Sequence, residues 1–234
     1  MKCGVCSVLL ASVLLGGCLA PAKQPDPARS DVPTDVHRER WRSGVALVVE
    51  TVPQSELAGF ALVIDAGAAR DPVGKEGLAH WVEHLVFRGR HRAEPSVERK
   101  LSAAVASWNG FTSHDVVAFY AFATKAELPQ LAQLLADIMS EPLAGIADGV
   151  YEHERRVVEA ERGFRSDHTP GQVGDWLYQS VFPQHHPYAR PVGGTASSIA
   201  SLTVADASRF VQEYYRPERM TLYVLTPRDV AGAA

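Results

Sequence analysis

In the pentapeptide His80-Trp81-Val82-Glu83-His84, two imidazoles stand four residues apart. On an α-helix that spacing puts them one turn apart on the same face, where both can reach one metal ion. Glu83 comes three residues after His80 and one before His84, so its carboxylate projects toward that face as well. The pattern supplies two neutral nitrogen ligands and a carboxylate able to take a proton from water at the metal. Its order, H-x-x-E-H, reverses the commoner zinc motif H-E-x-x-H. The plainer alternative is an exposed histidine pair beside a glutamate. At these His and Glu frequencies roughly 0.02 such matches arise by chance, so the metal reading is preferred.

A zinc site of this kind needs a third protein ligand, and the segment Glu152 to Glu161 offers it. Glu154, Val157, Val158 and Glu161 fall at i, i+3, i+4 and i+7, one stripe of a helix. Two valines turn that stripe inward, and an inward carboxylate is costly unless it meets a cation. Glu159 lies about 200° around the helix from Glu161, on the solvent side. Glu161 is therefore the expected ligand, and Glu154, on the same face, the carboxylate that steers the site from behind. Other histidines are weaker candidates. His185 and His186 are adjacent and so project differently, His153 lies about 100° off the Glu154 face, and His91 and His168 sit in polar loop sequence.

Outward from the metal helix, expected over Leu78 to Phe87, the pattern alternates between strand and helix. Val45 to Glu50 and Gly59 to Asp65 are apolar runs of strand length separated by Pro53-Gln54-Ser55, which predicts an antiparallel pair. Val116 to Ala123, rich in β-branched and aromatic residues, predicts a central strand, and Met220 to Leu225 a last one. Helices are expected at Val97 to Val105, Leu128 to Met139, Val173 to Phe182 and Val204 to Tyr214, the last capped by Thr203. This order predicts an α+β two-layer sandwich, a mostly antiparallel sheet covered by helices.

The chain has 234 residues, 46% of them hydrophobic, enough for a substantial core, and its net charge of -4 gives no reason to expect nucleic acid as a partner. Its three cysteines, Cys3, Cys6 and Cys18, lie at the N-terminus, which excludes a cysteine-based zinc site. Lys2 and the apolar run Val8 to Leu15 form a targeting segment too short for a comfortable membrane span. It ends in Leu15-Gly16-Gly17-Cys18, which resembles a bacterial lipobox whose cysteine is acylated; the alternative is secretory cleavage near Ala20. The expected organisation is a lipoprotein signal peptide at 1–17, a proline-rich disordered tether at 18–38 and a folded domain at 39–230. Membrane attachment through Cys18 places the domain in a bacterial cell envelope, on the periplasmic side of the outer membrane, with secretion as the alternative.

Several stretches together resemble the pitrilysin/insulysin/mitochondrial processing peptidase family of inverzincin zinc metallopeptidases. They are Gly67 to Asp71 with Gly74 to Gly89, then Trp108-Asn109-Gly110-Phe111-Thr112, similar to that family's Asn-Ala-x-Thr segment, and Glu154 to Glu161. His186-Pro187-Tyr188, Gly193-Gly194-Thr195 and Tyr214 to Met220 follow in the family's order, so the resemblance covers roughly residues 40 to 228. In that family a glutamate at a similar distance beyond the second histidine completes the zinc site; here Glu161 follows His84 by 77 residues.

The resemblance implies a zinc-dependent endopeptidase domain acting on peptides or unfolded segments. Zn2+ would be held by His80, His84 and Glu161, Glu83 would be the general base, and Asn109 would bind substrate backbone. It also implies a second, similar domain or chain facing the site across a chamber, with an Arg/Tyr pair that helps bind substrate. The sequence printed here shows no second copy, so a fragment, a half-subunit completed by a partner and a poorly active domain all remain open. The competing class is a non-catalytic subunit. The expectation is that the domain alone binds zinc but cleaves weakly or not at all.

Overall fold

Among the described residues, six strands form one sheet in the order β1-β2-β6-β3-β5-β4. They are β1 (Asp35–Arg40), β2 (Ala46–Thr51), β3 (Leu57–Ile64), β4 (Ser107–Thr112), β5 (Val117–Thr124) and β6 (Met220–Thr226). The structure is a computed structural model describing residues 35–90, 96–104, 107–166 and 169–227. The signal segment, Cys18, most of the expected tether, His91 and His168 lie outside them. Residues 35–38, assigned to the tether from sequence, open the edge strand β1. No helix among the described residues is long and apolar enough to cross a membrane.

The expected pairing of β2 with β3 does not form. β6 lies between them, parallel to β2 with Leu47 opposite Leu222, and antiparallel to β3 with Leu62 opposite that same Leu222. Residues 52–56 then bridge two strand spacings, about 10 Å, instead of closing a hairpin. A short connection between two apolar runs is compatible with either arrangement. What selects the second is burial: Met220 and Leu222 complete the layer between Val49 and Phe60, Leu62 and Ile64. The three remaining pairings, β1–β2, β3–β5 and β4–β5, are antiparallel too, in keeping with the mostly antiparallel sheet expected.

The helices are α1 (Leu78–Arg88), α2 (Val97–Ala104), α3 (Leu128–Ser140), α4 (Asp148–Ser166), α5 (Thr169–Val181), α6 (Ala196–Ala200) and α7 (Val204–Tyr214). Leu131, Leu134, Leu135 and Ile138 of α3 join Phe60, Leu62 and Phe119 of the sheet in one core, as their helical spacing predicts. α5 starts earlier than expected, with Pro170 in its first turn, where a missing N–H breaks no helical bond. Thr203 caps α7, its hydroxyl accepting from the Asp206 N–H while Asp206 reaches back.

α1 is the centre of the fold. Leu78 through Glu83, with Leu85 and Val86, are buried, and the helix packs against α4, α7 and β4. A helix enclosed on nearly every side is held rigidly, which suits one that carries a site. Its first turn is capped from outside. Asp71, 4% exposed, accepts from the N–H groups of Gly77 at 2.8 Å and Ala79 at 2.9 Å. The Arg190 guanidinium donates to the Asp71 and Ala69 carbonyls, and the Ser198 hydroxyl donates to the Glu76 carbonyl. The second loop comes so close that a Cβ on Gly194, whose φ is +72°, would stand 2.2 Å from the Glu76 oxygen.

Candidate functional site

His80 and His84 occupy consecutive turns of α1, ring centroids 4.8 Å apart and planes at 89°. α4 runs alongside and presents Glu161, whose Oε2 lies 3.6 Å from His80 Nε2 and 3.4 Å from His84 Nε2. One donor atom from each of the three lies within 4.8 Å of the others. A tetrahedral zinc with ligands at about 2.0–2.1 Å holds its donor atoms about 3.3 Å apart. Two imidazole nitrogens and one carboxylate oxygen at these separations fit such an ion.

The electrostatics follow from burial and partners. Burial takes His80 down to about 4, with the charge of His84 acting the same way. Burial would also lower His84, but hydrogen bonds to Glu154 and Glu161 outweigh it and carry His84 up to about 9. In Glu161 the hydrogen bond with His84 holds the carboxyl below its ordinary range. Glu154, 1% exposed, sits behind the site, with Oε2 3.4 Å from His84 Nδ1 and Oε1 accepting from Arg88 Nε at 2.7 Å. Those two partners offset its burial and keep it ionised. Arg88 also pairs with Glu98.

Glu83 is 6% exposed, and burial pushes its carboxyl up. The Thr112 hydroxyl donates to its Oε2 at 2.6 Å and moderates that rise. Gly110, two residues earlier on β4, leaves room for the other oxygen, since a Cβ there would lie 2.7 Å from Glu83 Oε1. His80, Glu83, His84, Thr112 and Glu161 open into one cavity of about 380 Å³. Asn109 also lines it, at the free edge of the sheet on β4, with its Oδ1 accepting from the Gly110 N–H.

The structure thus brings together all the site residues expected within the described region: His80, Glu83, His84, Asn109, Glu154 and Glu161. Among the described residues, the histidines expected to stand apart belong neither to the metal donor set nor to the lining of its cavity, although His153 Nε2 comes within 3.9 Å of Glu154 Oε1. His186 Nδ1 accepts from the Tyr188 N–H and its ring stacks on Phe182, while His153 is largely exposed. Sequence reasoning passed over Thr112, Arg88 and Arg165, which also line the cavity. Strand alternation could have found Thr112, because residues 110 and 112 face the same side of β4. Helical period puts Arg165, four residues after Glu161, on the same face of α4, while what it reaches there depends on how α4 lies along α1.

The sequence profile of the family described as Insulinase (Peptidase family M16) matches residues 46–196, well over half of the chain. An uncharacterized zinc protease of Mycobacterium tuberculosis is 30% identical over 204 residues, covering 86% of this chain and 45% of that protein. The mitochondrial-processing peptidase subunit beta of Saccharomyces cerevisiae is 25% identical over 181 residues, covering 77% of this chain and 38% of its own. The chain therefore spans less than half the length of these relatives. The crystal structure of pitrilysin superposes with a TM-score of 0.76 over 86% of this chain and 22% of pitrilysin, at 22% identity, which shows a shared fold.

Proposed function

This chain belongs to the insulinase family, peptidase family M16, and we propose that it is a zinc-dependent endopeptidase domain that hydrolyses peptides or unfolded segments. The observation that carries this reading is a buried, proton-affine Glu83 beside the His80–His84–Glu161 donor set in one open cavity. Zinc, when bound there, supplies a Lewis acid and lowers the pKa of water. The protein's own part falls to named side chains. Glu83, its carboxyl raised by burial, accepts a proton from the attacking water and returns it to the leaving amine. Thr112 fixes one oxygen of that carboxylate, which restricts how the other can turn within the cavity. Glu154 fixes the His84 ring through Nδ1, which leaves Nε2 for the metal. Asn109, beside the free edge of β4, is placed to hydrogen-bond an extended peptide.

A second reading, a half-site completed by another domain or chain, is favoured by one observation. On α5, Val173, Trp176, Leu177 and Val181 are more than half exposed along one helical face. An apolar stripe of this kind marks a surface that takes a partner, and the chain spans under half of its relatives.

Metal analysis and peptide cleavage, on wild type and Glu83→Gln together, test the proposal. Both forms should hold one zinc, while the variant's cleavage of an unfolded reporter should fall by about 10²–10⁴-fold. A wild type without stoichiometric zinc at neutral pH refutes it.

A further inference from the structure

Beside His80 lies a second and smaller cavity of about 170 Å³, bounded by Arg162 and Arg165 of α4, Asp175 and Gln179 of α5, Pro191 and residues 193–196. His80 and Arg165 line both this cavity and the one that holds the metal donors, so the two share a wall. We propose that the smaller cavity is a subsite for a carboxylate of the peptide substrate, with Arg165 as its selecting residue. This rests on the peptidase reading above and names the kind of peptide that reading would prefer.

The charge of the lining points to such an occupant. Neither arginine forms an ion pair among the described residues, and the buried Nε of Arg162 has no hydrogen-bond partner. His80 Nδ1 is likewise buried and without a partner. With Nε2 given to the metal, Nδ1 becomes a donor, and metal-bound histidines nearly always donate that N–H to a carboxylate, carbonyl or water. Arg162 Nε and His80 Nδ1 have almost no accessible surface, so what an occupant can meet is the rest of the Arg162 and Arg165 side chains that line the cavity. The one acid lining it is Asp175, whose carboxyl burial raises and the charge of Arg165 pulls back. Two guanidiniums against one carboxyl leave a positive balance in this lining once Glu161, on which Arg165 also acts, is given to the metal. A guanidinium fork matches a carboxylate in shape, and the volume suits an aspartate or glutamate side chain or a chain terminus. A peptide lying across the metal donors needs only to turn one such group past Arg165 to reach it.

The test uses the zinc-loaded chain carrying Glu83→Gln, which keeps peptides whole. It is titrated by fluorescence anisotropy with labelled, alanine-based octapeptides. One set is C-terminally amidated and carries a single Glu moved along the sequence, with Gln counterparts; one all-alanine peptide ends in a free carboxylate. A side-chain carboxylate in the subsite gives about 10-fold tighter binding of Glu over Gln at one position only. A terminal carboxylate instead gives that preference for acid over amide, whatever the Glu position. In either case Arg165→Gln should bring the ratio to about 1 with zinc content unchanged. Asp175→Asn should widen the ratio, and Arg156→Gln, exposed on the same helix, should leave it alone. A ratio near 1 in the parent, or one that survives Arg165→Gln, overturns the subsite while leaving the peptidase reading in place. A zinc-loaded chain that binds none of the peptides overturns both.

Discussion

Glu154→Gln keeps the side chain's size and removes its charge, at a place where the structure leaves little slack. The carboxylate is 1% exposed, with Arg88 Nε at 2.7 Å on one oxygen and His84 Nδ1 at 3.4 Å on the other. Two losses follow, and they read out separately. For the metal, a partner that orients a ligating histidine contributes typically 10–100-fold in affinity, or about 1.4–2.7 kcal/mol. For the fold, a hydrogen bond to a charged group contributes about 1.5–3 kcal/mol. Arg88 keeps its second partner, Glu98, so the loss should lie at the lower end, about 2 kcal/mol. In a domain of this size that lowers the melting temperature by about 4–8 °C. Competition with a chromophoric chelator measures the first effect, and thermal unfolding of the metal-free chain the second. Glu152→Gln is the control, because that residue is exposed on the same helix and its pairs with Arg155 and Arg156 contribute little. Unchanged zinc affinity in Glu154→Gln, with only the melting temperature reduced, would refute a role for Glu154 at the metal.

Zinc affinity should also rise with pH. His84 in the metal-free site stays protonated up to about 9, while His80, lowered to about 4, is already neutral. Binding at pH 7 therefore displaces about one proton, and affinity should climb about tenfold per pH unit between 6.5 and 8; a flat profile there contradicts it. By the same sign, a raised His84 stabilises the metal-free fold fully below its ordinary 6.5, and that contribution is lost as pH rises toward 9. Asp71→Ala leaves the Gly77 and Ala79 N–H groups without their acceptor, and should lower stability by about 2 kcal/mol or more in urea unfolding. Asp71→Asn keeps one of the two acceptor oxygens and sets its NH2 against the other N–H, so it should still lose stability; an unchanged stability in Asp71→Ala would rule out the capping role. Finally, a monomeric 36–234 chain should hold zinc yet cleave peptides weakly, and a complementary chain should restore cleavage. Full activity from the monomer alone would eliminate the half-site reading.

Some of this protein could be read from sequence because the relevant forces act within a few residues. The four-residue spacing of His80 and His84 has one meaning on a helix, and so does the stripe of Glu154, Val158 and Glu161. Thr203 caps α7 through a bond that spans three residues, and the α3 leucines turn inward by helical period alone. Tertiary structure decided whatever depends on partners distant along the chain. Local pattern names the apolar runs but not their neighbours, so nothing at 45–65 reveals that β6, more than 150 residues later, will lie between β2 and β3. The cap on α1 was hidden for a related reason: Asp71 is held in place by Arg190, from a loop folded back against it. The same holds for Thr112 on Glu83 and for Arg165 between the two cavities. Side-chain type and helical or strand period fix which way a residue faces, whereas what it faces is set by burial and close packing summed over the whole fold.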